Sequence, residues 1–330
     1  MVSVLAISND ECKAILGMTK AIEVLEEAFR LNAQGKYLTF PVIREKLWNN
    51  GIFGIKSGTK KSESSLIGLK AGGYWPDNPK TANVSAHQST ILLFDSETGQ
   101  SKALLGANYI TGLRTGAAGA LAAKYLARKD SSKVAVFGSG IQSEMQMRAL
   151  ISLFAIEEIT VYSPAKESLL DFEQRTNDLN QVKFNFVSQH SDMREPVQNA
   201  DIIVTTTPSF EYVLPDSWVS KGAHINAIGA DTKGKQEIEP SLFKRAVTIA
   251  DSYEQCSVLG DLQHAIAQGF VTREDVAELS DVIVNPEKGR VQDDQITLFD
   301  ATGVYLEDLA VAEYIYHTAL EQNIGIEISI

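Results

Sequence analysis

Residues 133–150, Lys-Val-Ala-Val-Phe-Gly-Ser-Gly-Ile-Gln-Ser-Glu-Met-Gln-Met-Arg-Ala-Leu, leave this chain little choice of architecture. Val134–Phe137 is a short apolar run cut off by glycine, which reads as a buried strand. Met145–Leu150 reads as a helix, and between the two Gly138, Gly140 and Ser143 keep the spacing Gly-x-Gly-x-x-small. Gly138 permits the sharp strand-to-helix turn, Gly140 lets a pyrophosphate approach the backbone, and Ser143 keeps helix and strand close. The pyrophosphate would rest on the free N–H groups at the helix start. On this reading Gly138, Ser139, Gly140, Ile141, Gln142 and Ser143 bind a dinucleotide.

The pattern then alternates. Ile159–Tyr162, Val182–Val187, Ala200–Thr205, Ala223–Ile228 and Val247–Ala250 read as strands, with a helix over Lys166–Leu179. Strands alternating with helices make a doubly wound parallel sheet, a Rossmann-type α/β domain. Ligands of such sheets sit outside the carboxyl ends of the strands. That rule gathers Gly138–Ser143, Ser163, Thr206-Thr207-Pro208 and Gly229-Ala230-Asp231 around one crevice. The strand end about 20 residues beyond the glycines selects the cofactor, because an acid there binds a ribose 2′-hydroxyl. This chain has Ser163-Pro164-Ala165-Lys166 instead. A 2′-phosphate meets no repulsion there, Ser163 can donate to it and Lys166 can pair with it. NADPH is therefore expected, with NADH as the alternative; Lys166 equally reads as a solvated first-turn residue.

Upstream the periodicity is different. After the apolar start Val2–Ile7, Ser8-Asn9-Asp10-Glu11 offers helix caps, and Thr19 is a second candidate cap before a helix over Ala21–Leu31 that Gly35 ends. Strands dominate from Thr39 to Phe94: residues 41–44, 51–56, 65–71 and 90–94. Asp95–Gln100 reads as a hairpin turn, with Gly99 available for a positive φ, and Ala103–Leu105 as the returning strand. Asn108–Ala127 reads as a helix whose Gly112, Gly116 and Gly119 suggest close packing of its backbone. A final helix lies within Asp300–Gln322. A chain of 330 residues exceeds one ordinary core. The expected division is a discontinuous α+β domain, 1–114 with 306–330, and a nucleotide domain, 115–305.

Charge and cysteine usage exclude several classes. The net charge of −12 argues against nucleic acid and anionic membranes as partners, so an anionic substrate must be held by local cations. Cys12 and Cys256 give no disulfide framework, and neither cysteines nor histidines keep metal-ligand spacing, so no metal is expected. No run approaches a transmembrane length and the start has no basic n-region, which makes the cytoplasm the expected compartment.

Asp231 lies just past a strand, in Gly229-Ala230-Asp231-Thr232-Lys233-Gly234-Lys235-Gln236-Glu237. It is either a general acid/base, if burial raises its pKa, or a turn aspartate. Arg44, Lys70 and Arg114 each lie beside apolar or small residues. They are either three surface cations or one converging clamp for a carboxylate. His87-Gln88 reads as a polar pocket pair or as structure, and Asp261 with His264 as a solvated or bonded pair on one helical face.

Six stretches together resemble one family over nearly the whole chain: Gly68-Leu69-Lys70, Ser85–Thr90, Ala107–Ala117, Phe137–Gln142, Ala223–Glu237 and Thr297–Gly303. Asn-x-Ile-Thr followed by Arg-Thr-x-Ala, together with Gly-Ala-Asp-x-x-x-Lys-Gln-Glu, resembles the ornithine cyclodeaminase/mu-crystallin family. That resemblance implies a carboxylate clamp at Arg44, Lys70 and Arg114, an acid/base role for Asp231 with Lys70 counted beside it, and cofactor contact at Gly229 and Thr302. It also implies a homodimer built through the discontinuous domain. Two departures stand out. Ornithine cyclodeaminases carry a glutamate for the distal substrate amine where this chain has Gly54. Much of the family has Met-Pro where this chain has Lys56-Ser57, which adds a cation near the substrate pocket.

The expected activity is an NAD(P)H-dependent reduction of a cyclic imino acid. Δ1-Pyrroline-2-carboxylate would give L-proline, or Δ1-piperideine-2-carboxylate L-pipecolate. A buried ammonium without a partner is costly, so Gly54 disfavours ornithine as substrate. Ornithine cyclodeaminase, alanine dehydrogenase and a non-enzymatic crystallin-like binding protein are the alternatives.

Overall fold

The computed structural model describes residues 3–62 and 65–330. In chain order its strands are β1 (Ser3–Ile7), β2 (Tyr37–Thr39), β3 (Ile43–Lys46), β4 (Ile52–Lys60), β5 (Leu66–Tyr74), β6 (His87–Asp95) and β7 (Ser101–Gly106). Then follow β8 (Lys133–Phe137), β9 (Glu158–Tyr162), β10 (Lys183–Val187), β11 (Ile202–Thr205), β12 (His224–Ala227), β13 (Ala246–Ala250), β14 (Val276–Glu278), β15 (Ile296–Asp300) and β16 (Ile326–Ser329). Val2, expected at the head of β1, lies outside the described residues. The chain divides into two compact units, Met1–Arg114 with Val304–Ile330, and Thr115–Gly303. The return to the first unit therefore falls at Val304, two residues before the position read from sequence.

The first unit is built on a mixed sheet in the order β16-β1-β7-β6-β5-β4-β2, with β3 also paired to β4. Ser8 caps the helix Asn9–Ile15 through a reciprocal capping box with Glu11. The next helix runs Met18–Ala33 and is capped by Gly17, so Thr19 lies inside it and is not a cap. Its apolar stripe, Ala21, Ile22, Leu25, Ala28 and Phe29, is buried, and each large side chain contributes roughly 1.5–3 kcal/mol. The β6–β7 hairpin turns at Gly99, whose φ is 70°. Helix Tyr305–Gln322 packs on β4 and β5, with Tyr305 filling the space above Gly58 and Gly68.

The second unit carries an all-parallel sheet in the order β10-β9-β8-β11-β12-β15-β13-β14. The winding direction reverses between β8 and β11, so the doubly wound α/β fold is present. Its central strands β11, β12 and β15 are buried on both faces, with Phe137, Ile203, Ile225 and Leu298 fully enclosed in the core. Two glycines of the Asn108–Leu126 helix, Gly116 and Gly119, stand where another helix comes close. A Cβ on Gly116 would lie 2.5 Å from the Met145 carbonyl oxygen, and one on Gly119 would lie 2.1 Å from Gln146 Oε1. The close neighbour is helix Ile141–Leu153. That helix starts four residues before the segment read from sequence, and helix Lys166–Arg175 ends four residues earlier than expected.

Candidate active site

In the second unit the turn after β8 has the conformation its glycines predict. Gly138 has φ 110°, and a Cβ there would meet Thr206 Oγ1 at 2.7 Å. Ser143 and Thr206 hydroxyls bond at 2.6 Å, and Thr206 Oγ1 donates to the Phe137 carbonyl at 3.1 Å. The loops after β8 and β11 are thus tied together where the winding reverses. Gly140 caps helix Ile141–Leu153 with no side-chain hydrogen bond, and a Cβ on it would meet nothing within 4 Å. Ile141 is half exposed, and Gln142 Oε1 is buried without a hydrogen-bond partner. A buried acceptor left unsatisfied costs about 1–3 kcal/mol. Open helix N–H groups, a bare glycine and an orphaned acceptor together fit a dinucleotide.

The other expected cofactor residues lie at neighbouring strand ends. Ser163 is buried just past β9, where its Oγ accepts weakly from the Ala165 N–H at 3.4 Å. Lys166 is exposed at the first position of the following helix. The Ser139 carbonyl accepts from Arg175 Nη2 at 2.8 Å, and Arg175 pairs with Glu144 at 2.9 Å. Thr302 lies past β15 and donates to Asp251 at 3.4 Å, while the Gly303 N–H donates to the same carboxylate at 2.6 Å. Pro208 is exposed.

Glu237 was not singled out by sequence reasoning, although it closes the Gly-Ala-Asp motif. It is fully buried and accepts from the Thr207 N–H, from Thr205 Oγ1 at 2.8 Å and from the Gly229 N–H at 2.7 Å. One carboxylate therefore fixes the loops after β11 and β12. Burial pushes its pKa up, and the hydrogen bonds it accepts oppose that. Asp261 is not a solvated residue: it is buried and accepts from the Glu237 and Ile238 N–H groups at 2.7 and 2.9 Å. His264 instead contacts the Lys235 carbonyl at 2.8 Å. Asp231 follows β12 as expected. Its carboxylate accepts from Lys235 Nζ at 2.8 Å and Thr232 Oγ1 at 3.1 Å, with its side chain 34% exposed. Taken in its own unit, this carboxylate is partly exposed and ion-paired with Lys235.

In the first unit, sheet register gathers the cations. Arg44 stands opposite Gly54, Gly54 opposite Gly72 and Gly72 opposite Ser89. One row along the same face, Lys56 stands opposite Lys70 and Lys70 opposite Ile91; in the other direction, Tyr74 stands opposite His87. Arg44, Lys56, Lys70 and His87 thus share one face of the sheet. The sheet itself keeps its centre bare. A Cβ on Gly54 would lie 2.9 Å from the Ile43 carbonyl oxygen, and one on Gly72 would lie 2.2 Å from that of Gln88.

Lys70 and Arg114 are buried and already engaged by two acids that sequence reasoning missed. Lys70 Nζ lies 2.7 Å from Asp308, and Arg114 lies 2.7 Å from Glu307 and 3.2 Å from Asp308. Surface cations are thereby ruled out for these two residues. Thr111 joins the group at 3.4 Å from Lys70 Nζ, and Asn108 Oδ1 accepts from the Ser89 N–H at 2.8 Å. Burial, then the Arg114 and Lys56 charges, push the Lys70 ammonium down to about 7, against the pull of Asp308. Burial pushes Asp308 up, but Arg114, Lys70 and Lys56 outweigh it and hold the carboxyl below its ordinary range. A face with this concentration of oriented cations can hold a carboxylate.

The family model for the ornithine cyclodeaminase/mu-crystallin family matches residues 4–323. The chain belongs to this family. Among family members, the iminosuccinate reductase of Paracoccus denitrificans is 38% identical over 327 residues, 99% of this chain and 100% of that one. Its structure in complex with NAD+ superposes with a TM-score of 0.88 at 37% identity, covering 99% and 100% of the two chains. The alanine dehydrogenase of Archaeoglobus fulgidus is 36% identical over 98% of each chain. An archaeal alanine dehydrogenase dimer with bound NAD gives a TM-score of 0.91 at 35% identity, covering 99% of each chain. The Δ1-pyrroline-2-carboxylate reductase of Thermococcus litoralis, in complex with NADH and L-proline, gives 0.92 at 27% identity over 98% and 100%.

Proposed function

We propose that this chain is an NAD(P)H-dependent reductase of α-imino carboxylates, with the cyclic Δ1-pyrroline-2-carboxylate as the first substrate to test and L-proline as its product. The observation that carries the reading is the bare Gly54–Gly72 pair flanked by Arg44 and the buried Lys70. The first unit is the substrate-binding and dimerisation domain, and the second binds the cofactor through Gly138–Ser143. When bound, NADPH or NADH supplies the hydride. Lys70, Arg114 and Arg44 hold the substrate carboxylate, and Asp308 with Glu307 fix the first two in place. Asp231 keeps the substrate nitrogen protonated, which makes the imino carbon electrophilic. Gly54 leaves no carboxylate for a distal ammonium, which supports a reductase over an ornithine lyase.

The relatives' bound cofactors, NAD+ and NADH, and the Ser163–Lys166 turn together support use of both nicotinamides. The dimeric alanine dehydrogenase supports a homodimer, and the cytoplasm remains the proposed compartment. Among the described residues, no helix is long and apolar enough to cross a membrane. A second reading, an open-chain imino or amino acid, is favoured by the likeness to an iminosuccinate reductase and an alanine dehydrogenase at 36–38% identity. Purified protein should oxidise NADPH or NADH, followed by absorbance, with one of these imines. Ammonia release from ornithine without net cofactor change would identify a lyase, and inactivity on all substrates a binding protein.

A further inference from the structure

Arg175 closes helix Lys166–Arg175 and reaches back to the glycine turn after β8. One edge of its guanidinium serves two acceptors. Nη2 donates to the Ser139 carbonyl at 2.8 Å, and Nε donates to Glu144 Oε2 at 2.9 Å. A guanidinium is a planar fork, so two bonds from one edge fix its direction as well as its place. The mounting is itself held. Glu144, buried in the first turn of helix Ile141–Leu153, also accepts from Arg148 Nε at 3.0 Å. Arg148 in turn bonds Asp178 at 2.8 and 2.9 Å and the Arg175 carbonyl at 2.7 Å. Helix starts attract anions, so an unpaired Glu144 would compete with a pyrophosphate there. The two guanidiniums offset its charge.

The carbonyl that Arg175 holds belongs to the Ser139–Gly140 peptide. That peptide is trans and planar, so its N–H points away from its carbonyl and from Arg175. Among the described residues, the Gly140 N–H has no acceptor. Glycine takes φ of either sign at little cost, so a peptide beside Gly140 flips easily unless something holds it. A flip would put the Ser139 carbonyl oxygen where the N–H now points, an acceptor in place of a donor.

We infer that Arg175 is a positioning residue for the cofactor: its hold on the Ser139 carbonyl keeps the Gly140 N–H turned to donate to the pyrophosphate. The inference rests on the dinucleotide reading of Gly138–Ser143 and adds the residue that sets which way the turn's central peptide faces.

The test compares wild type, Arg175→Met and Arg175→Lys by calorimetric titration with ADP-ribose, which carries the pyrophosphate but no nicotinamide and cannot turn over. Arg175→Met should weaken ADP-ribose by roughly 10-fold or more, the worth of one hydrogen bond to a charged group. Arg175→Lys keeps a cation beside Glu144 but has no two-pronged edge, so it should weaken ADP-ribose nearly as much. Adenosine, which has no phosphate, should bind all three proteins alike, as read by saturation-transfer NMR. The KM values for NADPH and NADH should rise by one common factor, because both carry the pyrophosphate. ADP-ribose bound by either folded variant as tightly as by wild type would overturn the inference. So would an equal loss for adenosine, which would mean a disturbed nucleotide domain, or a loss for NADPH alone, which would put Arg175 at the 2′-phosphate. Each of these leaves the cofactor site standing. Failure of folded wild type to bind ADP-ribose would overturn the reading of the glycine turn and the inference with it.

Discussion

Replacing Asp308 by asparagine keeps the shape of the buried clamp and removes the charge that sustains it. In the folded protein Lys70 is depressed from 10.5 to about 7, a penalty on the charged form on the order of 5 kcal/mol. Asp308 works against that penalty from 2.7 Å away. At an effective dielectric of about 20, opposite charges about 4 Å apart attract by about 4 kcal/mol. Asparagine retains a hydrogen bond but not this attraction, so the Lys70 pKa should fall by a further unit or more, roughly 1.4 kcal/mol per unit. Two consequences have opposite sign. In its proposed role Lys70 binds the substrate carboxylate as an ammonium, so wild-type affinity for the imine should fall as pH rises through about 7, and in Asp308→Asn the fall should come at lower pH. Stability moves the other way. Between about pH 7 and 10.5 the unfolded chain holds a proton on Lys70 that the folded protein releases, so Lys70 makes stability rise with pH across that window. In Asp308→Asn the rise should begin lower, beneath an overall loss of up to about 3–5 kcal/mol from breaking a buried pair. The assay is KM for the imine from pH 5.5 to 9, with urea melts at the same pH values. Identical pH profiles for wild type and variant would refute the reasoning.

Three further outcomes are expected. Asp231→Asn should lower kcat by roughly 10²–10⁴-fold with little change in NADPH affinity, and the residual rate should rise at low pH, where solvent protonates the imine; a wild-type rate across pH would make Asp231 a turn residue. Ser163→Asp should shift the NADPH/NADH ratio of kcat/KM towards NADH by repelling a 2′-phosphate, and an unchanged ratio would remove Ser163 from that role. Glu237→Leu leaves the Thr207 and Gly229 N–H groups without their acceptor, at about 1–3 kcal/mol each. It should lower Tm and weaken cofactor binding measured by nicotinamide fluorescence, and a variant binding NADH as tightly as wild type would contradict that brace.

The parts of this molecule legible in sequence are those whose cause is local. Val134–Phe137 turning through Gly138 into a helix announces itself within twenty residues, and so does the hairpin at Gly99. The central strand β15 was missed because Ile296-Thr297-Leu298-Phe299-Asp300 has no turn signature of its own. It is fixed by pairing with β12 and β13. Glu307 and Asp308 read as ordinary first-turn acids that complement a helix dipole. Only the fold brings them to Arg114 and Lys70, nearly two hundred or more positions away in sequence. Glu237 and Asp261 were hidden for the same reason: a buried carboxylate and a solvated one look alike in sequence until the N–H groups they accept are known. Thr19 reads as a cap because a hydroxyl before an apolar stripe is a common one, whereas Gly17 caps the helix two residues earlier.

The central claim is hydride delivery to the imino carbon of an α-imino carboxylate, and isotope transfer measures it most directly. The protein is incubated with NADPH or NADH carrying deuterium at the transferable C4 position, with Δ1-pyrroline-2-carboxylate and with the open-chain imines, and the amino acid products are analysed by mass spectrometry. The account predicts one deuterium at Cα of the product for each cofactor oxidised. Cofactor oxidation that leaves Cα unlabelled, or no amino acid formed from any imine by folded protein, would contradict it.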